Sequence, residues 1–236
     1  MASRRVTGPD RRPALSLPYR LRGRQGDAGD GAPPLLVLLH GRGGNELAMA
    51  ALAERFDPRY LVVSPRAPIE TAPFSYQWFP ETFLADGPRV TPADLASAVG
   101  LVDAFLGDAV RALGVNPAWV HLAGFSQGGT LALAMLLANP HRVAATVSMS
   151  GWLPQAALDA ARPPRDLLGK PVLIMHGRRD ETIDARLGRE AHATLASLGL
   201  AAELREPEVG HTTTPETIAD VSAWLSRLMG NVGAAA

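Results

Sequence analysis

A chain of 236 residues, 47% of them hydrophobic, is long enough for one large domain with its own core. Basic and acidic residues number 23 each, and this zero net charge disfavours nucleic acid or an anionic membrane as a partner. There is no cysteine, which excludes disulfides, thiolate metal sites and a cysteine nucleophile.

We expect residues 14–229 to form a single domain, because no linker divides them. The arginine-rich residues 1–13 and the small-residue tail 230–236 are expected to be flexible. No apolar segment follows the first arginines, so neither a secretory signal nor a membrane span is visible. A cytoplasmic protein without stable membrane association is the expectation, and whether it forms a homodimer is open.

The first part of the chain reads as a βαβ unit. Residues 35–39 and 60–64 are continuously apolar runs of strand length, which is typical of buried parallel strands. Residues 46–56 between them carry alanine and leucine at helical spacing. Residues 15–21 are predicted to add an edge strand.

Residues 65–90 show no helical or strand period, and they hold much of the aromatic content of the chain. A connection of this length is usually functional. We expect Trp78 and Phe79 to form one wall of the substrate pocket, because each offers a large apolar surface. The alternative is a loop anchored by its own aromatic side chains.

The rest of the chain alternates strands and helices. A long helix is predicted with Thr91 as its N-cap, Pro92 at its first position and its end near Gly114. Strands are predicted at 119–123, 143–149, 172–175 and 202–205, and helices at 130–138, 182–198 and from 215 onward. This alternation predicts a mostly parallel sheet with helices on both faces, whose ligands bind beyond the carboxyl ends of the strands.

A strand-to-helix turn carries the sequence Gly124-Phe125-Ser126-Gln127-Gly128. The pattern predicts a nucleophile elbow, in which a strained serine is exposed above the sheet edge and the flanking glycines let strand and helix pass closely. An ordinary glycine-rich turn is the alternative. At such an elbow Ser126 would be the nucleophile.

A serine nucleophile needs a histidine base and a carboxylate, and in this architecture they follow the serine as acid and then histidine. Among the histidines, His211 alone occupies a late loop, so it is predicted to be the base. Asp180, just past the strand at 172–175, is predicted to be the acid, with Asp184 as the rival. His176 is expected to hold the acid loop rather than to react.

An oxyanion hole takes one amide from the residue after the serine, here Gln127, and one from a loop after an early strand. The turn at residues 40–45 follows the strand at 35–39, and its glycines favour Arg42 as the second donor. A phosphate cradle is the alternative for such a turn, but neither nucleotide-binding glycine pattern is complete here.

Several motifs together resemble the phospholipase/carboxylesterase family, to which acyl-protein thioesterases belong. They are His40-Gly41-Arg42-Gly43-Gly44-Asn45-Glu46, Trp78-Phe79, Gly124-Phe125-Ser126-Gln127-Gly128-Gly129, His176-Gly177 with Asp180, and Gly210-His211. The resemblance implies an α/β-hydrolase fold without a large lid domain, and a triad of Ser126, Asp180 and His211 with Gln127 and Arg42 as oxyanion donors. Arg42 and Pro80 depart from the eukaryotic thioesterases, which have an apolar residue and an aspartate there.

The sequence therefore predicts a serine carboxylesterase that needs no cofactor or metal and acts on small-molecule esters of short-to-medium acyl chains through an acyl-enzyme. A lysophospholipase or acyl-thioesterase is the alternative within enzymes. A catalytically silent hydrolase fold that binds a ligand or protein is the alternative outside them.

Overall fold

A computed structural model describes residues 13–25 and 31–230. The predicted flexible ends, 1–13 and 230–236, lie almost entirely outside this part of the chain. A seven-stranded sheet runs through the described residues, and two separate hairpins flank it. The strands in chain order are β1 (Tyr19–Arg22), β2 (Leu35–Leu39), β3 (Leu61–Pro65), β4 (Ile69–Ala72), β5 (Ser75–Gln77), β6 (Thr82–Leu84), β7 (Gly87–Arg89), β8 (Val120–Phe125), β9 (Ala145–Met149), β10 (Pro171–Met175) and β11 (Ala201–Arg205).

The central sheet is parallel except at one edge. Its order is β1-β3-β2-β8-β9-β10-β11, and only β1 pairs antiparallel, with β3. The predicted, mostly parallel α/β sheet is thus confirmed. The elbow strand β8 lies at the centre, and the carboxyl ends of its neighbours β2 and β9 flank Ser126.

Both faces of the sheet are covered, which explains the continuously apolar strands. In β2 all five residues are buried. Leu35, Val37 and Leu39 pack into the core on one face, whereas Leu36 and Leu38 pack into the core on the other. Side chains alternate between faces along a strand, so a strand that feeds two cores cannot carry a polar face.

Seven helices accompany the strands in the described chain, and the last of them follows β11. They are α1 (Glu46–Ala50), α2 (Pro92–Leu113), α3 (Gln127–Ala138), α4 (Gln155–Asp159), α5 (Pro164–Leu167), α6 (Ala185–Ser197) and α7 (Pro215–Gly230). The predicted limits of α2 are confirmed: the Thr91 hydroxyl accepts the Asp94 amide at 3.1 Å, and Gly114 ends the helix with φ 62°. None of these helices is long and apolar enough to cross a bilayer.

Three parts of the chain differ from the predictions. The helix expected at 46–56 stops after Ala50 and continues only as a 3-10 turn, Ala53–Arg55. Residues 65–90, expected to be irregular, form two hairpins, β4–β5 and β6–β7. The third difference is the pair of short helices α4 and α5, which were not predicted. The hairpin strands have three or four residues and these helices have four or five, so these elements are too short for a hydrophobic period to appear.

Candidate active site

Ser126 lies at a sharp turn between β8 and α3 with φ 53° and ψ −119°, a conformation that side chains disfavour. The turn is possible because two neighbours are glycine. A Cβ at Gly124 would lie 2.1 Å from the Gly128 carbonyl oxygen, and one at Gly128 would lie 2.3 Å from the Leu39 carbonyl oxygen. The structure thus confirms the elbow geometry.

A continuous hydrogen-bonded path leads from Ser126 into the protein. His211 Nε2 lies 2.9 Å from Ser126 Oγ, and His211 Nδ1 lies 2.7 Å from Asp180 Oδ2. Because a carboxylate only accepts, Nδ1 carries the proton and Nε2 is left to accept the serine hydroxyl. The Phe125 ring packs against the imidazole with 4.9 Å between centroids. This arrangement can draw the proton from Ser126.

Asp180, rather than its rival Asp184, contacts the histidine. Its carboxylate is fully buried, which by itself would raise its pKa. Hydrogen bonds from His176, His211 and the Ile183 amide outweigh that effect and hold the pKa well below its usual range. Asp184 instead caps α6 by accepting the Arg186 amide at 2.7 Å.

His176 holds the loop that carries Asp180. Its Nε2 lies 2.8 Å from the Ile183 carbonyl and 3.4 Å from Asp180 Oδ2. The ring is completely buried, and a Cβ at Gly188 would lie 2.6 Å from its Nδ1. That Nδ1 has no partner among the described residues. A positioning role agrees with these contacts, although the ring is only half satisfied.

The turn after β2 lies directly against the serine: a Cβ at Gly41 would be 3.2 Å from Ser126 Cβ. The Gly41 carbonyl accepts two hydrogen bonds, from the Gly44 amide at 3.0 Å and from His40 Nδ1 at 2.8 Å. In a planar trans peptide the N–H points opposite to the C=O, so the Arg42 amide is turned away from His40. Holding this carbonyl therefore aims the Arg42 amide.

His40 is a site residue that the sequence interpretation missed. Its Nε2 accepts the Ala67 amide at 3.0 Å, so the proton must be on Nδ1, where it reaches Gly41. Burial lowers the pKa of the ring, which keeps it neutral. A ring with one donor and one acceptor is what this position requires. Its place in a strand-ending His-Gly pair was the available signal.

Gln127 begins α3, and its backbone amide therefore belongs to the first turn of a helix, where amides lack intrahelical partners. Neither this amide nor that of Arg42 donates to any turn or loop hydrogen bond among residues 13–25 and 31–230. Two backbone donors beside Ser126 are thus available to an oxyanion.

The structure corrects the prediction for Trp78 and Phe79. Their exposed fractions are 2% and 1%, so they offer almost no surface to a substrate. The Trp78 indole donates to the His40 carbonyl at 2.8 Å, and its backbone bonds to the Gln127 side chain. The alternative of a loop anchored by its own aromatics fits these contacts. An aromatic-rich loop alone does not reveal on which side its rings are buried.

The Arg42 side chain is half exposed at the protein surface. Its Nε donates to Glu81 Oε1 at 3.2 Å, and its guanidinium lies over the Phe83 ring, 4.7 Å from the centroid. Glu81 was not singled out in the sequence, because a lone acidic residue in a loop carries no pattern.

An apolar groove opens near the elbow helix, with a volume of about 290 Å³. Its lining is mostly apolar, with Pro88, Trp152, Leu153, Pro154 and Leu187, but it also includes Arg89 and Gln155. The Trp152 amide donates to the Thr130 hydroxyl at 3.0 Å, and Thr130 is one helical turn beyond Ser126. Within the described chain, no group of three or more His, Asp or Glu side chains could hold a metal ion.

Comparison with known proteins places this site in a family context. A family model described as phospholipase/carboxylesterase matches residues 27–229. An Arabidopsis thaliana protein named probable carboxylesterase SOBER1-like is 33% identical over 155 residues, which are 64% of this chain and 59% of that protein. The chain thus matches about three fifths of that relative's length.

Two further comparisons extend over more of the chain. An Oryza sativa protein named a probable inactive carboxylesterase is 28% identical over 214 residues, covering 84% of this chain and 86% of that protein. The crystal structure of a carboxylesterase from Mesorhizobium loti has a TM-score of 0.76 at 27% identity, covering 90% of this chain and 95% of that one. With its elbow on the central strand of an α/β-hydrolase sheet and a family match over most of its length, this chain belongs to the phospholipase/carboxylesterase family.

Proposed function

We propose that the protein is a serine carboxylesterase that hydrolyses short-to-medium acyl esters through an acyl-enzyme. The observation that carries this proposal is the unbroken path from Asp180 through His211 to Ser126, with heavy-atom distances of 2.7 and 2.9 Å. Such distances are within the range for proton transfer between nucleophile, base and orienting carboxylate.

In the proposed mechanism Ser126 Oγ attacks the ester carbonyl while His211 Nε2 takes its proton. The amides of Arg42 and Gln127 stabilise the oxyanion, and His211 then protonates the leaving alcohol. Water repeats the sequence on the acyl-enzyme and frees the acid. Asp180 keeps the proton on Nδ1 throughout and stabilises the imidazolium. No step calls for a cofactor.

The groove beside Trp152 is the proposed acyl site. Its volume of about 290 Å³ is at the small end of ligand pockets, which span about 300–1,000 Å³. Each buried methylene contributes about 0.8 kcal/mol, so kcat/KM should rise about fourfold per carbon and level off once the groove is full. Long-chain lysophospholipids and palmitoylated proteins are therefore proposed to be poorer substrates.

Labelling with a fluorophosphonate, followed by a panel of acyl esters and thioesters of graded length, tests the proposal. We expect stoichiometric labelling of the wild type, and neither labelling nor ester turnover above background in Ser126→Ala. A preference for thioesters would favour the acyl-thioesterase alternative. An unreactive Ser126 would favour a catalytically silent binding module. The rice relative is itself named a probable inactive carboxylesterase.

The cytoplasmic location and the absence of stable membrane association stay predictions. The single domain at residues 14–229 is likewise proposed, and the one seven-stranded sheet spanning Tyr19 to Arg205 supports it.

A further inference from the structure

The side chains of Arg42 and Gln127, the two proposed oxyanion residues, both bind the short segment of residues 78–81. The Gln127 side chain accepts the Trp78 amide through Oε1 at 2.6 Å and donates from Nε2 to the Phe79 carbonyl at 2.9 Å. The Gln127 side chain is buried, so these two bonds fix it rigidly. The segment is thereby tied to the start of α3.

Arg42 holds the other end of the 78–81 segment. Its Nε donates to the Glu81 carboxylate at 3.2 Å, and only 3% of the Glu81 side chain is exposed. The Phe83 ring beneath the guanidinium restricts its movement further. At the inner end, the Trp78 indole donates to the carbonyl of His40, two residues before Arg42. The segment is thus tied to the turn after β2 as well.

We propose that residues 78–81 form a brace that sets the separation of the Arg42 and Gln127 amides, and that Glu81 is a positioning residue acting through Arg42. This inference rests on the proposed esterase function. The two donors belong to different elements, the turn after β2 and the start of α3. A transition-state oxyanion needs both at once, and an error of about 1 Å in placement can cost about 10²-fold in rate.

The charges of the pair suit a fixed brace. Burial raises the pKa of Glu81, and the Arg42 charge, the strongest of the opposing effects, offsets that rise only in part. Only the Glu81 partner of this ion pair is buried, so removing Glu81 leaves the half-exposed Arg42 guanidinium solvated but without its anchor. The half-exposed Arg42 side chain is thus anchored to a buried carboxylate, which restrains the Arg42 backbone in the turn that lies against Ser126.

The test compares Glu81→Ala, Glu81→Gln, Arg42→Met and the double variant Arg42→Met/Glu81→Ala. For each, kcat and KM are measured on the best ester, together with Ki for the matching trifluoromethyl ketone, which forms an oxyanion on Ser126. Glu81→Ala should lower kcat about 10- to 100-fold at unchanged KM, less than the about 10²- to 10³-fold cost of deleting a donor. The ketone Ki should rise in the same proportion.

Two comparisons separate positioning from general damage. Glu81→Gln keeps an acceptor for Arg42 Nε but loses the charge, so kcat should fall and the ketone Ki should rise by about three- to tenfold. If Glu81→Ala does not fold, Glu81→Gln takes its place in the test. The double variant should be no worse than Arg42→Met alone, because Glu81 acts through Arg42. Independent effects that multiply in the double variant would overturn the proposal.

Asp103→Asn is the matched control. It breaks the Arg142–Asp103 ion pair of 2.8 Å at the far end of α3, which is about 18 Å long, and should leave kcat unchanged. If Glu81→Ala and Glu81→Gln also leave kcat and Ki unchanged while the wild type shows Ser126-dependent turnover, the brace is refuted and the esterase proposal stands. A wild type without Ser126-dependent turnover refutes both.

Discussion

Ser126→Gly should abolish activity and yet give a more stable protein than Ser126→Ala. Both changes remove the hydroxyl and its hydrogen bond to His211, so that loss cancels when the two variants are compared. They differ in the Cβ. At φ 53° and ψ −119° an L side chain is strained, whereas glycine adopts this conformation freely.

The expected difference follows from two opposing contributions. A non-glycine residue in a sparsely populated region costs about 1–3 kcal/mol, which glycine relieves. Glycine in turn loses about 0.5–1 kcal/mol more than alanine in conformational entropy on folding. The free energy of unfolding of Ser126→Gly should therefore exceed that of Ser126→Ala by about 1 kcal/mol, or about 2–4 °C in Tm for a chain of this size.

Urea and thermal unfolding of the two variants measure this difference. Ser97, exposed within α2, provides the control pair, since its backbone is helical and unstrained. There Ser97→Gly should be less stable than Ser97→Ala by about 1 kcal/mol. If glycine were also the less stable choice at position 126, the elbow would store no strain and the reasoning would be refuted.

Three further results are expected. Asp180→Asn should lower kcat about 10³- to 10⁴-fold, because it removes the carboxylate oxygen that accepts the His211 Nδ1–H. Asp184→Asn should leave kcat unchanged, because asparagine caps a helix as well as aspartate does. The reverse result would make Asp184 the acid. Gly124→Ala should lower the free energy of unfolding by at least about 3 kcal/mol, because its Cβ would lie 2.1 Å from a backbone oxygen, and wild-type stability in urea would contradict this. Burial lowers the pKa of His121 to about 4, so the unfolded chain, with a histidine pKa of about 6.5, binds the extra proton. The free energy of unfolding should fall by about 3 kcal/mol from pH 6.5 to pH 4, and equal pH dependence in His121→Gln would contradict that assignment.

Much of the architecture could be predicted because its signals are local. The continuously apolar strand at 35–39, the caps of α2 and the two elbow glycines each express a requirement of a few neighbouring residues, and the structure has them where they were predicted. Chain order and loop position selected Ser126 and His211 and favoured Asp180 over Asp184, and the structure brings Ser126, Asp180 and His211 into hydrogen-bonding contact.

Only the tertiary structure decided which partners surround these residues. Trp78 and Phe79 are buried rather than lining a pocket, and Arg42 pairs with Glu81, 39 positions further along the chain. The choice of Asp180 over Asp184 likewise depends on where His211 returns to the sheet edge. Period and propensity describe a residue's own segment, whereas burial and hydrogen-bond partners are set by distant segments that meet only in the fold.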